Sequence, residues 1–103
     1  MFIGLVPTAN AETPVSVFVD GNELIEMCKT EAQICEAYIV GTADTYEMVA
    51  LHLTNICRPK AVTVPQIGEV ILKWLVEHPA ERHRPAAKLA GLAMADAWPC
   101  VRQ

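Results

Sequence analysis

The chain has 103 residues, of which 52% are hydrophobic and 19% charged, and this composition excludes intrinsic disorder as the default state. The length predicts one domain, with a core small enough to leave a thin stability margin. The formal net charge is −4 and the sequence has no block of Lys or Arg, which argues against a nucleic acid or an anionic membrane as the partner.

The N-terminal segment resembles the end of a secretory signal. Residues 1–11 hold an apolar run followed by Ala9-Asn10-Ala11, the A-x-A pattern of a cleavage site. We therefore interpret residues 1–11 as a signal-peptide remnant and residues 12–19 as an N-terminal extension of a helical domain at 20–103. An ordinary N-terminal segment is the alternative. No apolar run is long enough to cross a bilayer.

Two helix starts are predicted in the first half of the chain. Asp20 and Glu23 form a D-x-x-E capping box for a helix over residues 20–29. Thr30 and Gln33 form a second box, T-x-x-Q, which opens the longest predicted helix, over residues 31–56. Gly41 inside that helix is interpreted as a point of close approach by another helix. The predicted buried stripe follows steps of three and four residues: Ile34, Tyr38, Gly41, Thr45, Met48, His52 and Ile56, flanked by Cys35, Ile39, Tyr46, Val49 and Leu53.

The second half predicts two more helices. Thr63 and Gln66 form a third capping box, with Pro65 in the first turn, and the apolar spacing continues to His78. A last helix is predicted over residues 85–97, with Leu89 and Leu92 on its buried side. Four helices joined by short loops predict an all-α fold, an antiparallel four-helix bundle.

Four cysteines allow three disulfide connectivities. Cys35 and Cys57 are separated by 22 positions, which is roughly 33 Å in one continuous helix, far beyond the reach of a disulfide. Cys28 precedes Cys35 closely, and two helix reversals return Cys100 to Cys57. We therefore predict the pairs Cys28–Cys35 and Cys57–Cys100. Free buried thiols in a cytosolic protein are the alternative.

Catalytic chemistry is not indicated by the sequence. A catalytic Cys–His dyad needs a cysteine without a structural role, and all four cysteines have a plausible structural role. No Cys–His pair in the sequence has a recognisable signature. His78 and His83 could bind a metal with a cysteine, but Arg82 and Arg84 beside them would repel a cation. His78 is better explained as a cap on the carbonyls that end the third helix. We expect no enzyme activity, no metal and no cofactor.

Several motifs together resemble one known family. They are C-x-x-Y-x-x-G-x-x-D at residues 35–44, CRP at 57–59, VTVPQ at 62–66, HPAERHRPAA at 78–87 and WPC at 98–100. This combination resembles the Rap/Tai family of type VI secretion amidase immunity proteins over about residues 20–100. The chain departs from the family pattern at Trp98, where many relatives have Phe, and at Ala80, where Glu is common. Neither departure affects the expected fold.

The resemblance implies a periplasmic protein, often a homodimer, that binds a peptidoglycan-cleaving, papain-like amidase effector and blocks its active site. It does not identify the contact residues. From polarity we select two segments, residues 77–84 and residues 58–63. Two other functions stay open, namely an acid-stress periplasmic chaperone and an orphan binding module of the same fold. The candidate partner-binding residues are Arg58, Lys60, Glu81, Arg82 and Arg84.

Overall fold

The computed structural model describes residues 17–49 and 55–100. Their helices are α1 (Gly21–Thr30), α2 (Ala32–Val49), α3 (Val64–Glu77) and α4 (Ala86–Ala97), with a short 3₁₀ helix, Pro79–Glu81, between α3 and α4. The all-α prediction with four helices is therefore confirmed. The predicted signal remnant at residues 1–11 and most of the predicted extension lie outside the described residues. No helix among the described residues is both long enough and apolar enough to span a membrane.

Two of the three predicted capping boxes are present. At the start of α1, the Glu23 amide donates to Asp20 Oδ1 at 2.8 Å, and the Asp20 amide donates to Glu23 Oε1 at 2.9 Å. At the start of α3, the Gln66 amide donates to Thr63 Oγ1 at 3.3 Å, and the Thr63 amide donates to Gln66 Oε1 at 2.8 Å. Each box satisfies amides that have no partner inside the helix, and so fixes where the helix begins.

The predicted box at Thr30 and Gln33 is wrong. Thr30 is the last residue of α1, and its hydroxyl donates to the Glu26 carbonyl at 3.0 Å. Glu31 alone separates α1 from α2, and its carbonyl accepts the Cys35 amide at 3.0 Å. A Ser or Thr hydroxyl can bond backward to the carbonyl four residues earlier as well as forward to an amide. Here the Thr30 hydroxyl bonds backward because α1 continues through Thr30.

The longest helix is shorter than predicted. Residues 55–59 are not helical, so α2 does not reach residue 56. The segment is instead bonded to the end of α4, since the Cys57 amide donates to the Trp98 carbonyl at 2.8 Å and the Cys100 amide donates to Asn55 Oδ1 at 3.3 Å. These tertiary bonds hold residues 55–57 against the end of α4.

Both predicted disulfides are confirmed. Cys28 and Cys35 join the end of α1 to the first turn of α2, with their Cα atoms 4.8 Å apart. Cys57 and Cys100 join the segment before α3 to the residues after α4, with their Cα atoms 4.9 Å apart. The pairing is correct although the helix used to derive it ends before residue 55.

The core draws on all four helices, but the buried face of α2 differs from the prediction. Ile34 and Met48, on the centre line of the predicted stripe, are 51% and 83% exposed. Cys35 and Ile39, which flank that line, are buried as predicted, and so is Ala43, which the predicted stripe did not include. On α4, Leu89 is buried as predicted and Leu92 is 39% exposed. The buried hydrophobic residues are Leu24, Cys35, Ile39, Ala43, Ile67, Ile71, Leu75, Ala86, Leu89, Ala90, Ala93 and Met94.

The predicted role of Gly41 is also wrong. Gly41 is exposed, and a Cβ added there would meet no atom within 4 Å. The close approach lies at Gly91, where a Cβ would fall 2.5 Å from Cζ of Tyr46. The Tyr46 hydroxyl donates to the Ala87 carbonyl at 2.8 Å, one turn before Gly91 in α4. The helix that needs a glycine at the contact between α2 and α4 is therefore α4.

Candidate partner-binding site

The connection between α3 and α4 carries three of the five candidate residues. We call residues 77–84 the tip: it begins at the last residue of α3, includes the 3₁₀ helix Pro79–Glu81 and ends before Pro85. Glu81, Arg82 and Arg84 are all partly exposed in it. The structure therefore brings these three charged residues together.

His78 ends α3. Its amide donates to the Leu75 carbonyl at 3.3 Å, and its ring Nδ1 lies 2.7 Å from the Trp74 carbonyl. The imidazole also stacks on the Trp74 ring, with centroids 3.8 Å apart. These contacts satisfy carbonyls that have no partner within the helix. The prediction that His78 caps α3 is confirmed.

Arg82 folds back onto the same helix end. Its Nε donates to the Leu75 carbonyl at 2.8 Å and its Nη2 donates to the Val76 carbonyl at 3.2 Å. A cation at a helix C-terminus is favourable, because the last carbonyls carry partial negative charge. Arg82 therefore has a structural role, which the sequence analysis did not predict. Its role in partner binding stays a prediction.

Arg84 and Glu81 form an ion pair inside the tip. Arg84 Nη1 lies 2.6 Å from Glu81 Oε1, and each side chain is 37% exposed. The hydrogen bond from Arg84 lowers the pKa of Glu81 below its ordinary value. The carboxylate therefore stays ionised, and both groups are accessible to a partner.

The first turn of α1 holds the tip from the other side. The Gly21 amide donates to the Arg84 carbonyl and the Asn22 amide donates to the Arg82 carbonyl, both at 3.1 Å. The first amides of a helix lack intrahelical acceptors, and here the tip supplies them. A Cβ at Gly21 would lie 2.8 Å from the Arg82 carbonyl oxygen, so only a glycine allows this approach. A glycine directly after an N-cap residue was the available signal, and the sequence analysis missed it.

The other two candidates lie elsewhere. Arg58 and Lys60 precede α3, whereas the tip follows it, so the 14 residues of α3 separate the two groups by roughly 21 Å. Arg58 is 19% exposed, and its Nη2 lies 3.2 Å from Glu47 Oε1 on α2. Lys60 is exposed in a turn. The five candidates therefore do not form one cluster.

The described residues hold neither a free thiol nor a group of three possible metal ligands. All four cysteines are in disulfides, so none offers a thiolate. Within residues 17–49 and 55–100, no group of three His, Cys, Asp or Glu side chains is placed to hold a metal. A groove of about 510 Å³ lies between α2 and the start of α4, and Tyr38, Thr42, Thr45 and Tyr46 are among the residues that line it. Partial burial raises the pKa of both tyrosines above the ordinary value of a phenol.

Comparison with known proteins agrees with the resemblance found in the motifs. The family model of the Rap1a immunity proteins matches residues 20–100. Searches of curated proteins and of solved structures gave no match. The family match covers most of the chain and includes all four helices and both disulfides. The chain therefore belongs to the Rap1a immunity protein family, and this membership implies an immunity protein that binds a cognate secreted effector.

Proposed function

We propose that this protein is a periplasmic, non-catalytic inhibitor that binds a peptidoglycan amidase delivered by type VI secretion and covers its active-site cleft with the tip. The observation that carries the proposal is the preorganisation of the tip. It is held by Arg82 on the end of α3 and by two amides of α1. An inhibitor that occludes a cleft needs a rigid projecting surface, because a segment ordered before binding loses less entropy on association.

Periplasmic location is supported by two features of the chain. Both disulfides need an oxidising compartment to form and persist. The Ala9-Asn10-Ala11 pattern has the form of a signal-peptidase site. The resemblance adds a homodimer to the proposal, which light scattering on the purified oxidised protein would test.

The functional test is inhibition of an amidase encoded next to this chain. Peptidoglycan digestion by that amidase should fall in proportion to the amount of oxidised protein added and stop near a stoichiometric ratio. Release of muropeptides by this protein alone would contradict the non-catalytic assignment. Undiminished digestion at molar excess would contradict the amidase proposal.

The surface can be tested with one pair of substitutions. Arg84→Ala removes an accessible charge from the tip, and Lys60→Ala removes one at the opposite end of α3. Hot-spot arginines often weaken binding by about 2 kcal/mol or more when truncated. We expect Arg84→Ala to lose at least tenfold in affinity for the amidase by calorimetry, and Lys60→Ala to bind as wild type. The reverse pattern would move the site to residues 58–63.

A further inference from the structure

The segment that leads into α1 carries a fully exposed aromatic side chain. Phe18 is 98% exposed, the highest value among the large exposed hydrophobic residues of the described chain. Val19, the next residue, packs against the core. Single exposed apolar residues are common and need no explanation by themselves. The exposure of Phe18 matters because its segment lies beside the tip.

Backbone bonds fix this segment beside the tip. The Ala86 amide donates to the Val19 carbonyl at 3.0 Å, and Asp20 pairs with Pro85 in an isolated antiparallel bridge. Extended residues advance about 3.4 Å each, so Phe18 lies within roughly 7 Å of the bridge along the chain. The tip ends at residue 84, directly before that bridge. The segment that carries Phe18 is therefore bonded to the residues that directly follow the tip.

The tip lacks a large apolar side chain, which Phe18 supplies. Residues 77–84 contain charged, histidine, proline and alanine side chains and no large apolar one. Protein interfaces usually combine a central apolar or aromatic anchor with a polar rim. Val76 at the end of α3 is also exposed beside the tip, but aromatic side chains are the more frequent anchors. Phe18, which precedes the bridge between Asp20 and Pro85, can supply the aromatic group that the tip lacks.

We propose that Phe18 is the aromatic anchor of the effector-binding surface and inserts into an apolar pocket beside the cleft that the tip covers. This inference rests on the function proposed above. The occupant is the effector, because the Phe18 segment is bonded to the residues directly after the tip, and the proposed function assigns the tip to the effector. The effector recognises the aromatic ring of Phe18 with an apolar pocket that has a polar rim.

The experiment compares Phe18→Ala with Ile34→Ala in the full oxidised chain. Ile34 is also an exposed apolar residue, but it follows α1, whereas the tip is bonded to the first turn of α1. The 10 residues of α1 span roughly 15 Å. Calorimetry with the neighbouring amidase should show at least a tenfold loss of affinity for Phe18→Ala and wild-type affinity for Ile34→Ala. Both variants should keep the wild-type melting temperature, because neither side chain is in the core.

The possible outcomes separate this inference from the function on which it rests. If wild-type protein binds the amidase and Phe18→Ala binds equally well, the anchor is refuted and the proposed function stands. If wild-type protein does not bind the amidase, both are overturned. If Phe18→Ala loses self-association in sedimentation velocity but keeps its affinity for the amidase, Phe18 belongs to a contact between copies and the inference is wrong.

Discussion

The guanidinium of Arg82 donates to two carbonyls at the end of α3, the Leu75 oxygen at 2.8 Å and the Val76 oxygen at 3.2 Å. Replacing Arg82 with Ala removes both bonds and leaves these carbonyls to His78 and solvent. Because the Arg82 carbonyl also accepts the Asn22 amide, the same residue connects α3 to α1. We predict that Arg82→Ala destabilises the whole domain.

The magnitude follows from the bonds lost. A hydrogen bond to a charged group contributes about 1.5–3 kcal/mol when well buried, and partial exposure of Arg82 reduces this. We expect a total loss of about 1–3 kcal/mol in the free energy of unfolding. For a domain of this size, that corresponds to a fall of roughly 5–15 °C in melting temperature. Arg84 is the matched control, since its ion pair with Glu81 is partly exposed and such pairs contribute little to stability.

Circular dichroism during thermal unfolding under non-reducing conditions measures both variants with the disulfides intact. Arg82→Lys should fall between wild type and Arg82→Ala, because an ammonium keeps the charge but lacks the planar fork that reaches two acceptors. Equal melting temperatures for Arg82→Ala and wild type would refute the capping role. An equal fall for Arg84→Ala would show that tip charge, rather than these two bonds, sets stability.

Two further pairs of variants test the fold. Gly91→Ala should destabilise by about 1–2 kcal/mol, since overpacking against Tyr46 outweighs the gain in helix propensity; Gly41→Ala should stabilise by about 1 kcal/mol, since nothing lies near its Cβ. Urea unfolding would contradict this if both variants shifted in the same direction. Cys100→Ser opens a loop with a sequence separation of 43 and Cys28→Ser one of 7, so the losses should be about 4 and about 2 kcal/mol in the chain-entropy model. A larger loss for Cys28→Ser in urea would mean that native packing, rather than loop length, decides the order.

Features that depend on neighbours in sequence were predictable. The boxes at Asp20 and Thr63 are local hydrogen bonds between residues three apart, so the sequence contains all of their components. The apolar spacing of α3 also predicted its buried face, where Ile67, Ile71 and Leu75 repeat every fourth residue. When the apolar residues of a helix all lie on one face, only that face can pack against the core.

The face of α2 was not predictable in the same way. Small and weakly polar residues such as Ala43, Gly41 and Thr45 occur around its whole circumference, so several stripes fit the spacing equally well. Packing against the other helices decides between them, and it leaves Ile34 exposed and buries Ile39, which lay only at the edge of the predicted stripe. The error at Gly41 has the same cause, since the partner of a glycine is another helix and not a sequence neighbour.

The candidate site shows the same division between local and distant information. The tip was selected from the sequence by its polarity, because its charged residues lie between two predicted helices. The hydrogen bonds that hold the tip in place were not predictable, since the Gly21 and Asn22 amides come from a helix about sixty positions earlier in the chain. In the proposed function, this arrangement joins stability to recognition, because the first turn of α1 both binds the tip and follows the segment that carries Phe18. A substitution that loosened this turn would release both parts of the proposed surface together, whereas a substitution at an exposed tip side chain would change one contact and leave the scaffold intact.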